Sequence, residues 1–347
     1  MGGISCCSST NGVRIVRLSI FIVVGCFLSS LSFANDCRET MGAIDFGSGT
    51  TKFIAADVDR CEKQILQIIH EDRLQISLNE YLEKSNNGEV RLDDLRKYIP
   101  QLRKSLQTLQ EKGVQRPFAV ATSVFRVAKN GLEMARLLKN ELKVDVQIIS
   151  QDQEAELGYY SALAKLKTEQ TRMIVWDIGG GSMQMFAKQG NQDHIYRGDL
   201  ASVTFKNQVL RDLKFADPKV TTSPNPLGRA RAAAVQIAKN HAHLNVPLYF
   251  KREASSANVI GVGGVLSISV LKQTGNTEAA FDQGDLEKAL EWRSKLTDKE
   301  INSPYSATDV TNIALVLGYM RALNIQSVQV VDAALGEGLI YKNLQSR

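Results

Sequence analysis

The chain has 347 residues, of which 44% are hydrophobic and 23% charged. These proportions exclude a disordered or fibrous protein and supply enough apolar material for two ordinary cores. The net charge of +5 is too mild for a nucleic-acid-binding surface, although a small positive balance suits an anionic substrate.

Residues 1–34 read as a signal peptide. Arg14 and Arg17 precede an uncharged apolar stretch, 18–31, and Ser32-Phe33-Ala34 places small residues at the two positions a signal peptidase reads. The mature chain then begins at Asn35, in the periplasm or outside the cell, with 40 basic and 37 acidic residues, or +3. Val23-Val24-Gly25-Cys26 offers the alternative of an envelope lipoprotein carrying a lipid on Cys26. Ordinary cleavage is preferred because apolar residues continue past Cys26 to Ala34. Cys37 and Cys61 are the cysteines left in the mature chain, and an even pair in an oxidising compartment invites a disulfide.

Patterning predicts strands at 42–46, 52–57 and 64–70, then an amphipathic helix over 92–112. A strand at 118–122, a helix at 132–142 and a strand at 145–149 complete an α/β half, and a helix over 153–166 leads out of it. The second half repeats the opening, with strands at 173–177, 183–188 and 194–198. Helices at 202–213 and 228–244 flank a proline-containing loop, 217–227. His241-Ala242-His243 has metal-pair spacing only on a strand, and it falls at the end of this helical pattern, so no metal is assigned there. An apolar segment, 258–260, runs into Gly261-Val262-Gly263-Gly264 and a helix-like stretch, 265–271. Helices at 285–296 and 308–323, a strand at 327–331 and a last helix from about Glu337 complete the chain.

Two turns carry the chemistry. Asp45-Phe46-Gly47-Ser48-Gly49-Thr50-Thr51-Lys52 and Asp177-Ile178-Gly179-Gly180-Gly181-Ser182 each place an acid at a strand end before a turn without bulky side chains. Such a turn exposes successive backbone N–H groups and holds an anion. A facing pair, Gly47 to Lys52 and Gly179 to Ser182, grips a phosphate chain from both sides. Asp45 and Asp177 are then expected to hold a divalent cation, and Lys52, in a turn that resembles actin's first phosphate loop, to neutralise phosphate directly. The third turn, with Gly263 and Gly264, resembles the loop that closes over the phosphates in folds built from such a pair, or else it is a helix start that needs small residues for packing. Repetition of strand, acidic-glycine turn and strand in each half is the pattern of the actin, sugar kinase and heat-shock chaperone superfamily. The expected fold is therefore α/β, two ribonuclease H-like domains around an interdomain cleft, spanning 41–157 and 158–334 with 335–347 returning to the first.

Further segments resemble one family, the exopolyphosphatase/guanosine-pentaphosphate phosphatase (Ppx/GppA) family. Ala121-Thr122-Ser123-Val124-Phe125-Arg126-Val127-Ala128-Lys129-Asn130 is similar to its A-T-S-x-x-R-x-A-x-N. Ile149-Ser150 leading into Gln153-Glu154-Ala155 resembles I-S-G-x-E-E-A, and Asp332 to Tyr341 resembles D-G-A-L-R-E-G-x-L-Y. The resemblance runs from about Gly42 to the end and is to the short form without a regulatory domain. It implies that Glu154 activates the attacking water, that Arg126 pairs with substrate phosphate, and that Asp177, with Asp45 as its counterpart, holds Mg²⁺ or Mn²⁺. It also implies a substrate, polyphosphate or a nucleotide polyphosphate; polyphosphate leads by elimination, since nucleotides are scarce outside the cytoplasm. The oligomeric state stays open, a homodimer included.

The chain departs from the family pattern at several places. Gly49-Thr50 stand where the family has N-S, Met183-Gln184 where it has T-E, Gln151 and Gly336 where it has glycine and arginine, and Val265 where it has threonine. The carboxylate missing at Gln184 supports an alternative reading, a catalytically weak phosphate-chain or nucleotide-binding protein.

Overall fold

The computed structural model describes residues 37–166 and 172–346. Residues 1–34, with the expected signal peptide and Cys26, lie outside the described residues.

Two mixed sheets organise the chain. The first contains β1 (Arg38–Phe46), β2 (Thr50–Asp59), β3 (Gln64–Gln75), β4 (Phe118–Ala121) and β5 (Val146–Ile148), in the order β3-β2-β1-β4-β5. β1, β2 and β3 form an antiparallel meander, while β4 runs parallel to β1 and β5 parallel to β4. The second contains β6 (Met173–Ile178), β7 (Met183–Gln189), β8 (Gln192–Gly198), β9 (Asn258–Val262), β10 (Ala280–Asp282) and β11 (Ser327–Val330), in the order β10-β11-β9-β6-β7-β8. Its β8-β7-β6-β9-β11 repeats β3-β2-β1-β4-β5, with β10 added antiparallel at the edge. This is the duplicated ribonuclease H-like arrangement of the actin superfamily, as the paired turns predict.

β1 is covered on both faces, which is why its sequence reads as an apolar run rather than an alternation. Ile44 and Phe46 pack with Phe53, Leu102 and Met134 on one face. Met41 and Ala43 pack with Ile54, Leu157 and Ile340 on the other. The second sheet repeats this sandwich, with Trp176 among Phe205, Phe250 and Leu315, and Val175 among Tyr159, Phe186 and Ile260.

The predicted helix over 92–112 is two helices, Leu92–Arg96 and Ile99–Glu111, because Pro100 lacks an N–H and fits only a first turn. β3 runs on to Gln75, hidden from the pattern because it is an edge strand with no fully buried residue. Residues after the third glycine turn start as a π-helix, Val265–Val270, before continuing as Leu271–Thr274. Cys37 and Cys61 are disulfide-bonded, at the end of the β1–β2 ladder where Arg38 faces Asp59. His241, in the Arg231–Asn245 helix, bonds the Tyr319 hydroxyl at 2.9 Å and lies 3.2 Å from Asp199. Among the described residues, no helix is long and apolar enough to cross a membrane.

Candidate active site

Each half builds its turn in the same way. In β1–β2, Asp45 faces Lys52 and the Gly47 N–H donates to the Thr50 carbonyl at 3.1 Å. In β6–β7, Asp177 faces Gln184 and the Gly179 N–H donates to the Ser182 carbonyl at 2.9 Å. Elements that follow take up the remaining carbonyls. Ile76 and Asn79 N–H groups donate to Gly49 and Ser48 at 3.0 and 3.1 Å, and Ser202 and Val203 N–H groups donate to Gly179 and Gly180 at 3.1 and 2.8 Å. These bonds fasten each turn to the element that follows it, and a turn of this form can offer backbone N–H groups to an anion.

The third turn closes on Asp177. Gly263 has φ +79°, and a Cβ there would overlap Asp177 Oδ1, so both conformation and space require glycine.

Glu154 sits near the start of the Gln151–Leu166 helix. The helix is opened by a reciprocal pair: the Ser150 N–H donates to Gln153 Oε1 at 2.9 Å and the Gln153 N–H to Ser150 Oγ at 3.2 Å. Gln153 thus fills the third position of a capping box as a glutamate would. Arg126 comes from the short Ser123–Val127 helix that follows β4. Its Nη1 donates to the Ile149 carbonyl at 3.0 Å, while Nη2 lies 2.6 Å from Glu154 Oε2 and 3.3 Å from Ser182 Oγ. Gln184 Nε2 donates to the same Glu154 oxygen at 3.4 Å. One arginine of the first half therefore joins the water-activating candidate to the second turn.

Burial governs the charges. It pushes the Glu154 carboxyl up to about 7, with Arg126 pulling down and Asp177 and Asp45 adding repulsion. It pushes Asp177 up to about 6 against Lys52, with Asp45 adding to the rise. Asp45 is raised as well, by burial first, with Lys52 and Arg126 opposing. Asp45 Oδ1 is buried without a hydrogen-bond partner.

Two buried carboxylates short of positive charge, one with an orphaned oxygen, fit Mg²⁺, which is commonly bound by one or two carboxylates together with substrate phosphate. Glu154 does not join them in a tight three-carboxylate cluster. Among the described residues the group close enough for three ligands is Cys37, Asp59 and Cys61, and both its sulfurs belong to the disulfide.

Other residues of the turns are placed differently. Ser48 Oγ accepts the Val124 N–H at 3.0 Å, tying the first turn to the Arg126 helix. Thr51 Oγ1 is buried without a partner, whereas Gly49 and Gly264 border open space. A Cβ on Gly181 would stand 2.6 Å from Ser123 Oγ, and one on Gly180 2.7 Å from Asn79 Nδ2, so the second turn lies directly against the first half. Sequence reading missed Asn79 and gave Ser123 no role. Ser123 lies in the A-T-S segment and had a signal; Asn79 had none.

The Ppx/GppA phosphatase family model matches residues 57–347. A Haemophilus influenzae protein named "Putative exopolyphosphatase" is 24% identical over 313 residues, covering 88% of this chain and 92% of that one. The crystal structure of the Aquifex aeolicus member of the Ppx/GppA family superposes with a TM-score of 0.69 at 18% identity, covering 89% of this chain and 98% of the other. An exopolyphosphatase from Cytophaga hutchinsonii superposes with a TM-score of 0.68 at 17% identity over the same shares. At these identities the structural likeness is one of fold, and the sequence match carries the assignment: this chain belongs to the Ppx/GppA phosphatase family.

Proposed function

We propose that this protein is an exported, divalent-metal-dependent phosphohydrolase that releases terminal phosphate from polyphosphate or a nucleotide polyphosphate. The observation that carries the reading is Glu154, a buried carboxyl raised to about 7 and held by Arg126 and Gln184 beside the second glycine turn. A base poised near neutral pH suits proton removal from water. Ionised Glu154 accepts a proton from water as the water oxygen bonds to the terminal phosphorus. The bond from that phosphorus to its bridging oxygen breaks, and the shortened chain leaves with the electron pair. Arg126 offers guanidinium donors to the transferring group, and the N–H groups of the turns orient the chain. Asp45 and Asp177 would hold Mg²⁺ or Mn²⁺, which when bound supplies charge neutralisation for the phosphate oxygens.

Export rests on the composition of residues 1–34 and is favoured by the Cys37–Cys61 disulfide, since such bonds persist in oxidising compartments. Polyphosphate is then the leading substrate. The test is phosphate release by purified mature protein from polyphosphate, guanosine pentaphosphate and ATP with Mg²⁺ or Mn²⁺. Polyphosphate should be hydrolysed fastest, and absence of release from all three would overturn the hydrolase reading. The second reading, a phosphate-chain binder with weak turnover, is favoured by Gln184, a neutral amide where the family has a carboxylate.

A further inference from the structure

Asn79 joins the two phosphate turns. Its backbone N–H donates to the Ser48 carbonyl at 3.1 Å, and the Ile76 N–H donates to the Gly49 carbonyl at 3.0 Å, so the segment leaving β3 is built onto the first turn. Its carboxamide reaches the second turn. Nδ2 lies 2.7 Å from where a Cβ would stand on Gly180, and Oδ1 lies 3.5 Å from the same point on Gly181.

Nδ2 is buried and has no hydrogen-bond partner. Native proteins seldom leave a buried donor unsatisfied without a use for it. Four carbonyls of the turns already accept a backbone hydrogen bond: those of Ser48 and Gly49 from Asn79 and Ile76, those of Gly179 and Gly180 from Ser202 and Val203. A phosphate oxygen of a bound chain would supply the acceptor that Nδ2 lacks.

We propose that Asn79 is a substrate-binding residue whose Nδ2–H donates to a phosphate oxygen of the chain held between the two turns, setting affinity rather than taking part in bond breaking. This inference rests on the phosphate-chain reading of the site. Asparagine suits the place because it supplies a donor without charge, whereas aspartate of the same shape would offer acceptors and a negative charge.

The test measures binding of inorganic tripolyphosphate with Mg²⁺ by calorimetry, turnover of polyphosphate, and melting temperature, for the native mature protein, Asn79→Ala and Asn79→Asp. Asn79→Ala should weaken binding and raise KM about tenfold or more, the scale of a hydrogen bond to a charged acceptor, with kcat within about threefold. Asn79→Asp should weaken binding further. Melting of ligand-free Asn79→Ala should be no lower than native, because the lost donor has no partner in the free protein. Binding by both variants within about twofold of native would overturn the inference while leaving the phosphate-chain reading intact. A lower melting temperature and lower kcat in Asn79→Ala at unchanged KM would also overturn it, by assigning the residue a structural role. Failure of native protein to bind tripolyphosphate would remove the reading beneath it. Should Asn79→Ala not fold, Asn79→Asp carries the comparison, since it preserves the shape.

Discussion

Lys52 and Gln184 occupy the same position in the two halves, each directly across its hairpin from a buried aspartate, Asp45 and Asp177 respectively. The two residues differ in their electrostatic consequences. Lys52 lowers the proton affinity of both aspartates, whereas Gln184 is neutral and spends its amide on Glu154.

Restoring a carboxylate by Gln184→Glu adds a fourth acid to Asp45, Asp177 and Glu154, beside Glu154 and opposite Asp177. Mg²⁺ should then activate at several-fold lower concentration, and the rate should rise. The added negative charge should also move the midpoint of the pH–rate profile upward, because it disfavours ionised Glu154. Mg²⁺ titrations of kcat/KM at several pH values check this; weaker activation by Mg²⁺ would mean that the amide is not the site's deficit.

For the native protein, kcat/KM should rise with pH to a midpoint near 7 and then level, since Glu154 must be ionised to take the proton. A profile flat between pH 5.5 and 8.5, set as roughly one and a half units either side of that midpoint, would exclude a base of this kind.

Stability should run the other way. The folded-state values of Glu154 and Asp177, about 7 and about 6, lie above their ordinary 4.5 and 3.8. The folded protein therefore binds these protons more tightly, and their contribution is fully present below the ordinary values and lost as pH rises through the folded ones. Without metal, native protein should melt higher at pH 5 than at pH 7.5, relative to Glu154→Gln/Asp177→Asn, in which the dependence is flattened. Mg²⁺ should raise the melting temperature at pH 7.5, the cation taking the place of the lost protons.

Breaking the disulfide should loosen the base of the first hairpin. Cys61→Ser should cost about 3 kcal/mol in denaturant unfolding, the chain-entropy scale for a closure of this size. Equal unfolding midpoints for native and variant would show that the bridge contributes no net stability.

The fold was legible because it is written twice: Asp45 and Asp177 head the same turn, and the strand orders around them repeat. Glu154 and Arg126 were legible through the resemblance rather than through spacing, since their 2.6 Å contact joins two helices that follow different strands of the sheet. Asn79 was illegible for a physical reason. Its role depends on where β3 ends, and β3 is a half-exposed edge strand whose polar residues hide its last turn of pairing with β2. Pro100 was visible in the sequence, but the periodic pattern around it masked the break that its missing N–H imposes.

The most direct test of the account is turnover and binding measured together on Glu154→Gln. If Glu154 activates the attacking water, the variant should bind tripolyphosphate with Mg²⁺ about as native protein does and hydrolyse polyphosphate about 10²–10⁴-fold more slowly. Unchanged turnover would take the water-activating role away from Glu154, and native protein that binds the chain yet releases no phosphate with Mg²⁺ or Mn²⁺ would contradict the hydrolase account and leave the phosphate-chain binder in its place.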